Sequence, residues 1–499
     1  MRQPSFMLCL ITSEFCNYNI ILYIVRFILL TFKNICSIII SRYKTYVRDD
    51  IMNENKNPSE NSKKEGTVSS LSSLQKGVYE KLGKDKKQRV ILHSDCNCFY
   101  ASVECLYNPD IRNKPVVVSG NPENRHGIIL TKNEIAKKFG IKTGEPIWQA
   151  KNKCPELITV EPHFDLYKRF SNMTRELYSE YSDRIEGFGL DEAWIDVTDS
   201  ERFIGKGENI AREINQRVKK ELGITVSIGV SFNKIFSKFG SDYKKPDAIT
   251  VINKENYKDI VWNSPAQDLL YVGKATKKKM NSLGIFTIGE IANTPIETLR
   301  YNFGKWGDVL WAFANGYDTS PVAKINEQED VKSIGNSTTT PRDLNDFEDV
   351  KSVMTVLCDC VCRRLRANGF KAKTLQITIR DKFLMSFNRQ MTLDTPTNIT
   401  KQITESALIL FYRSYSWSAP IRSLGIALSD FSEDNTPYQI SFFNDEKKKQ
   451  KLETLDKTID ILKGRFGNYS LITANLLKQP ELSHFNPYDD HTVHPVGFF

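Results

Sequence analysis

Asp95 closes a short apolar run in ILHSDCNCFYASVE, residues 91 to 104. Two more acids, Asp191 and Glu192, stand side by side in GFGLDEAWIDVT, residues 187 to 198. Acids of this kind can lie on a surface turn. If their strands are neighbours, they can instead converge and share divalent cations. Hard oxygen ligands in small number suit Mg²⁺, which keeps waters and substrate phosphates in its shell. Two such ions stabilise both the attacking and the leaving oxygen of a phosphoryl transfer. Adjacent acids on one strand are expected to point to opposite faces, with one of them buried unless something pairs with it. The thiols beside Asp95 raise a third possibility. However, Cys96-x-Cys98 has no second ligand pair at zinc spacing, and Cys358-x-Cys360-x-Cys362 has no nearby His. Reduced, mostly buried thiols are expected instead. The residue types alone leave a strand end and an active site both open.

The elements that would carry these acids are legible. Val90 to Leu92 reads as a strand running into Asp95, Ala101 to Leu106 as a short helix, and residues 114 to 120 as another strand. Residues 187 to 198 have strand character. Ile210, Ile214, Val218 and Leu222 form one apolar face of a helix. Residues 224 to 231 and 248 to 252 read as strands, with a helix between them that ends before Lys245-Pro246. This alternation predicts a sheet with helices on one face, an α+β domain that a ferredoxin-like palm would fit. A helical region covers about 255 to 320. A second α+β unit begins near Ser333, with a helix over 346 to 369 and alternating strands in KTLQITIRDKF and NRQMTL. Beyond Asp434 the chain is polar, then helical again around Leu452, Leu455, Ile459 and Leu462.

The chain has 499 residues, too many for one core, with 40% apolar and 26% charged residues and a net charge of +9. The charge favours a polyanionic partner such as nucleic acid. Residues 1 to 51 differ in composition. The stretch Ile20 to Ile40 is apolar but carries Arg26 and Lys33, which suits neither a spanning helix nor a cleaved signal. An over-extended gene start is expected there, with Met52 as the true start and a membrane anchor as the other option.

DCNCFYASVE, GLDEAWIDVT, SIGVSFNKIFSKFGSDYKKP and YVGKATKKK, in this order and spacing, resemble the Y-family translesion DNA polymerases, and most closely their bacterial polymerase IV type. The resemblance covers about residues 88 to 445, and the HPVGFF ending is similar to members of the group. It implies an α+β multidomain, right-hand polymerase. A ferredoxin-like palm would occupy 88 to 98 and 164 to 254, small fingers 99 to 163, and a helical, helix-hairpin-helix-like thumb 255 to 322. A linker (323 to 332), an α+β little finger (333 to 432) and a tail (433 to 499) would follow, with residues 1 to 87 as an extension.

Carried over by position, the resemblance makes Asp95, Asp191 and Glu192 the catalytic and metal-binding carboxylates, with the Cys96 backbone carbonyl as a further ligand of two Mg²⁺. Phe99 and Tyr100 match the aromatic pair beside the nucleotide sugar, and Tyr100 would be the steric gate that rejects a ribose hydroxyl. Thr131, Lys137 and Lys245 fall at triphosphate contacts. Glu134 stands where Tyr is frequent, Lys137 where Arg is, and Gly189 where Ser is, the last an exchange expected to be harmless. YVGKATKKK resembles a helix-hairpin-helix, with Tyr271 in place of the first glycine. Gly273, Lys274, Lys277 and Lys278 would then meet a DNA phosphate without reading sequence. Lys279 adds charge beside them. Arg380, Lys382 and Arg389 would face the duplex backbone. Gln439, Ile440, Phe442 and Phe443, in QISFF, resemble a box that binds a sliding clamp. His491 and His494 are expected to be inert.

The implied function is a DNA-directed DNA polymerase of low processivity. It would act on primer-template DNA with deoxynucleoside triphosphates, error-prone and able to pass damaged templates. It would be a cytoplasmic, nucleoid-associated monomer without a stable membrane partner. The competing expectations are a catalytically inactive DNA- and clamp-binding relative acting as a repair scaffold, and a nucleotidyl cyclase on a similar palm. The intact acids weigh against the first and the downstream DNA-binding units against the second.

Overall fold

The computed structural model describes residues 88–120, 127–325, 327, 330–434 and 446–488. Met52, the QISFF stretch, His491 and His494 lie outside the described residues. The strands that build the first part are, in chain order, β1 (Ile91–Cys96), β2 (Val116–Ser119), β3 (Ile129–Lys132), β4 (Ile158–Val160), β5 (Ile185–Gly187), β6 (Glu192–Asp196), β7 (Val226–Ser231) and β8 (Ile249–Ile252). The principal helices are α1 (Phe99–Tyr107), α2 (Phe164–Ser179), α3 (Gly207–Arg217) and α4 (Lys234–Tyr243).

β1 is buried throughout because it is the centre of a five-stranded sheet of order β5-β6-β1-β7-β8. Side chains alternate along it. Leu92 and Cys96 enter a core with α1, α2 and α3, where Ala101, Val103, Tyr167, Leu177, Ile210 and Ile214 meet Ile195, Val226 and Ile228. His93 and Asp95 therefore face the other side, where α4 lies. The expectation of helices on one face is corrected: α2 and α3 cover one side and α4 the other. The close approach of α4 depends on Gly229, which pairs with His93. A Cβ on Gly229 would run into the Ser237 carbonyl oxygen and come within 2.6 Å of the Ser241 amide. The four-residue apolar spacing after α3 drifts around a helix of 3.6 residues per turn. A wider π turn over Val218–Leu222 keeps Val218 and Leu222 buried with the rest.

A small sheet of order β3-β2-β4 has its own core of Val117, Ile129, Ile141 and Leu157. The helical region that follows contains α5 (Lys274–Ser282) and packs Val261, Met280, Ile288, Leu299 and Leu310 against Phe236 and Phe239 of α4. One helix thus serves the sheet on one side and the helical region on the other.

The second α+β unit is an antiparallel sheet of β9 (Ser333–Leu344), β10 (Phe370–Asp381), β11 (Ser386–Thr397) and β12 (Ile421–Glu433), in the order β11-β10-β12-β9. Leu375, Ile377, Ile379, Leu424 and Ile426 pack on α6 (Phe347–Ala367) and α7 (Thr400–Ser414). The stretch expected as a tail belongs to this unit over its described residues. From α8 (Glu446–Phe466), Asp460 accepts two bonds from the buried Arg366 guanidinium, at 2.6 and 2.9 Å, and Asp456 a third at 3.3 Å. Farther on, Leu482 joins the core and the Pro487 carbonyl accepts from Asn336 at 2.8 Å. Among the described residues, no helix is long and apolar enough to cross a membrane.

Candidate active site

Asp95 lies directly opposite Glu192 in the β1–β6 pairing, so both side chains leave the sheet on the α4 face. Asp191 is not in a strand. Residues 187 to 198 split into a hairpin, with a turn between β5 and β6 in which Gly189 takes φ +87°. The Cys96 amide donates to the Asp191 carbonyl at 3.0 Å and pins this turn to the end of β1. Strand alternation therefore does not separate Asp191 from Glu192, and both gather near Asp95. The opposite-face expectation rested on Asp191 being a strand residue, and it is not one. Gly189 also has a conformational use, since a side chain there would be strained.

Two cations hold the acids. Lys238, on α4, places Nζ 2.9 Å from Glu192, 3.4 Å from Asp95 and 3.1 Å from Asp242. Lys245 places Nζ 2.6 Å from Asp95 and 2.7 Å from Asp242. Burial, then repulsion from Glu192, pushes Asp95 up to about 6. Burial, then Asp95 and Glu192, pushes Asp191 up to about 7. Burial works to lower Lys238, but Glu192, Asp242 and Asp95 outweigh it and raise its affinity for the proton. Among the described residues no set of three or more His, Cys, Asp or Glu side chains is already arranged around a common metal position. Asp95 and Glu192 are instead paired with the two ammonium groups. Beneath them the fully buried His93 bonds Ser241 through Nδ1 at 2.8 Å, and its Nε2 lies 3.5 Å from Glu192. Burial, then Lys238, holds His93 well below the usual histidine range. The Cys96 side chain packs in the core on the far face, as expected of a packing thiol.

Tyr100 stands at the edge of this group. Burial, then Asp191, pushes its hydroxyl up to about 12. Its ring is boxed by Phe99, Phe164 and Tyr167. Of the expected phosphate contacts, only Lys245 is brought to the acids. Thr131 pairs with Val118 on the small sheet, and Lys137 is exposed and sits 3.5 Å from Glu134. Glu134 also accepts from the Cys98 thiol at 3.3 Å, a use that its position in place of Tyr did not suggest.

Gly273 caps α5 with open space around it, and Lys274, Lys277 and Lys278 are exposed along that helix. Lys277 bonds Gln267, and Lys279 bonds the Asn302 carbonyl. Tyr271 keeps φ +69°, a left-handed conformation that favours the glycine it replaces, and its ring packs on Trp306 and Phe313. Arg380, Lys382 and Arg389 are exposed but do not form one strip. Arg380 pairs with Ser386 on the open face of the sheet, whereas Arg389 pairs with Ile377, whose side is covered by helices. Sequence reasoning missed Lys238, Asp242, His93, Glu104 and Tyr167. Only the four-residue spacing of Lys238 and Asp242 was a signal, and it reads equally as a surface pair.

The comparisons with known proteins agree with this geometry. The impB/mucB/samB family matches residues 94–242 and its C-terminal domain residues 331–442. DNA polymerase IV of Acetivibrio thermocellus is 52% identical over 79% of this chain and 99% of that protein. DNA polymerase IV 2 of Bacillus subtilis is 35% identical over 78% of this chain and 94% of that protein. A solved Y-family DNA polymerase chimera of Dbh and Dpo4 superposes with a TM-score of 0.61 at 25% identity, covering 68% of this chain and 98% of its own. With Asp95 and Glu192 paired across adjacent strands, and with relatives matched over nearly their whole length, the chain belongs to the Y family of DNA polymerases, of the bacterial polymerase IV type, and is a DNA-directed DNA polymerase acting on template DNA and nucleotides.

Proposed function

We propose that this polymerase uses two Mg²⁺ ions held by Asp95, Asp191, Glu192 and the Cys96 carbonyl, and that it carries out low-processivity, error-prone synthesis across damaged templates. The observation that carries the catalytic part is the convergence of the acids. Asp95 and Glu192 face each other across two strands, and burial, then repulsion among the carboxylates, raises Asp95 and Asp191. Hard carboxylate oxygens fit Mg²⁺. When bound, the ions supply charge to the attacking and departing oxygens of the transfer. The protein's own work is then positioning. The β1–β6 pairing fixes two acids, the turn fixes the third, and Lys245 lies within reach of a triphosphate drawn to them. Lys offers such a group a point charge rather than a bidentate fork. Tyr100 excludes a ribose 2′-hydroxyl by its ring. The open end of α5 at Gly273, with Lys274, Lys277 and Lys278, would hold a DNA phosphate, and Arg380 and Lys382 would extend that contact.

The translesion part rests on the family. Binding of a sliding clamp by Gln439, Ile440, Phe442 and Phe443 rests on the sequence, as do a monomeric state and a cytoplasmic, nucleoid-associated location. Primer extension with Mg²⁺ on undamaged and lesion-bearing templates tests the reading. Extension on both, with frequent misincorporation, is expected. No incorporation on either would overturn it in favour of a scaffold.

A further inference from the structure

A gate that works by clash discriminates only if its ring cannot retreat. Tyr100 lies flat on Tyr167, with ring centroids 4.2 Å apart and planes 11° from parallel, and Phe164 meets it edge-on at 6.0 Å. Tyr167 is fully buried, and its hydroxyl donates to the carboxylate of Glu104, itself only 5% exposed. His163 Nδ1 lies 3.0 Å from the same Glu104 oxygen and 3.1 Å from the other. Tyr100 and Glu104 are four residues apart on α1, and His163 and Tyr167 are four apart at the start of α2. Each pair therefore shares one side of its helix. The two pairs interlock. The ring behind the gate is tied by its hydroxyl to the helix that carries the gate.

We propose that Glu104 and Tyr167 are positioning residues that set the sugar selectivity of the polymerase, by fixing how far the Tyr100 ring can give way to a ribose 2′-hydroxyl. This rests on the reading of Tyr100 as the sugar gate. A buried carboxylate is costly unless it is paired. A polar pair that served only to hold α1 on α2 would stabilise the fold without any effect on which sugar is accepted. The geometry assigns it more than that, because the bond ends on the one ring that supports Tyr100 face to face.

Single-nucleotide insertion tests this with a deoxynucleoside triphosphate and its ribonucleoside counterpart, comparing kcat/KM for wild type, Tyr167→Phe, Tyr167→Leu, Glu104→Gln and Tyr100→Ala. Melting temperatures are measured on the same proteins. Tyr167→Phe keeps the stack and the volume but loses the bond, so the deoxy-to-ribo ratio should fall about fivefold, the scale of one ordinary hydrogen bond. The gain should lie in the ribonucleotide arm, with the deoxynucleotide value within about twofold of wild type. Tyr167→Leu removes the stack and should lower the ratio further, towards that of Tyr100→Ala. Glu104→Gln still offers an amide oxygen to Tyr167 and should stay within about twofold of the wild-type ratio. In Tyr100→Ala the gate is gone, so adding Tyr167→Phe should change the ratio no further. If Tyr100→Ala collapses the ratio while both Tyr167 variants leave it at the wild-type value, the pair is only a helix pin. The proposal then falls and the gate stands. If Tyr100→Ala itself leaves the ratio unchanged, the gate reading falls and this proposal with it.

Discussion

Asp95 and Glu192 stand opposite one another on adjacent antiparallel strands, and a single ammonium group, Lys238, reaches both from the helix above. These two acids are thus brought side by side by the sheet and paired by the helix. Their behaviour in solution should depend on both.

Replacing Asp191 by Ala should abolish primer extension, with a loss of about a thousandfold or more, the scale on which a preorganised charge acts in transfer chemistry. DNA affinity should hardly change, because DNA is bound mainly by Lys and Arg on phosphates. Gel-shift and extension assays on one preparation separate the two effects. Near wild-type extension would remove Asp191 from the site.

Lys238→Met should destabilise the protein without added divalent ions by about 3 kcal/mol, as for breaking a buried ion pair. The deficit should shrink when millimolar Mg²⁺ is added, since an ion that binds only the folded state stabilises it. Urea unfolding with and without Mg²⁺ measures this. An equal deficit under both conditions would mean that Lys238 does not stand in for a cation.

The raised acids make stability depend on pH in a definite direction. Asp95 and Asp191 titrate near 6 and 7 when folded, against an ordinary 3.8. Between about pH 4 and 7 the folded chain therefore holds protons that the unfolded chain has lost, and stability from these groups falls as pH rises through that window. Without divalent ions the melting temperature should drop across it, and Asp191→Asn should flatten the drop. Extension should weaken below about pH 7, where protons compete for the same oxygens. A wild-type-like slope in Asp191→Asn would contradict the assignment.

Gly229→Ala should cost about 3 kcal/mol, the upper range for overpacking, because the new methyl meets backbone rather than a flexible side chain. Activity should fall more than stability alone explains, since the shift displaces the helix that carries Lys238. A stable, fully active Gly229→Ala protein would show that α4 can move without harm.

Deleting Gln439 to Phe443 should leave distributive synthesis intact and remove stimulation by a sliding clamp, because tethering raises effective concentration at the primer end without changing the site. Stimulation that survives the deletion would assign those phenylalanines to local packing instead.

Much of the site was legible because it is local. An apolar run ending in Asp95 and an Asp-Glu pair before AWID are visible in any short window. The pairing of Asp95 with Glu192 was not, since it joins residues far apart in the chain. The placing of Asp191 within a strand failed on one detail, a turn at Gly189 inside a segment whose apolar alternation looks unbroken. Lys238 and Tyr167 were hidden for a different reason. Each lies on an amphipathic helix whose pattern tells which side is buried, but not what the polar atom on that side will meet. Arg389 was misgrouped with Arg380 because side-chain parity on a hairpin follows from its register, which the sequence leaves open.

The contact of Arg366 with Asp456 and Asp460 bears on where the chain can be cut. A protein ending at Asp434 would retain every strand of the second sheet, yet would strip Arg366, near the end of α6, of both of its acids and of the helix that covers it. It would also lose Leu482 from the core and the Pro487 carbonyl from Asn336. Shortened versions that keep all the polymerase motifs should therefore express poorly and be digested readily by protease in this unit. Versions extending through Tyr488 should resist, which makes the last helices part of the minimal folding unit rather than an appendage to it.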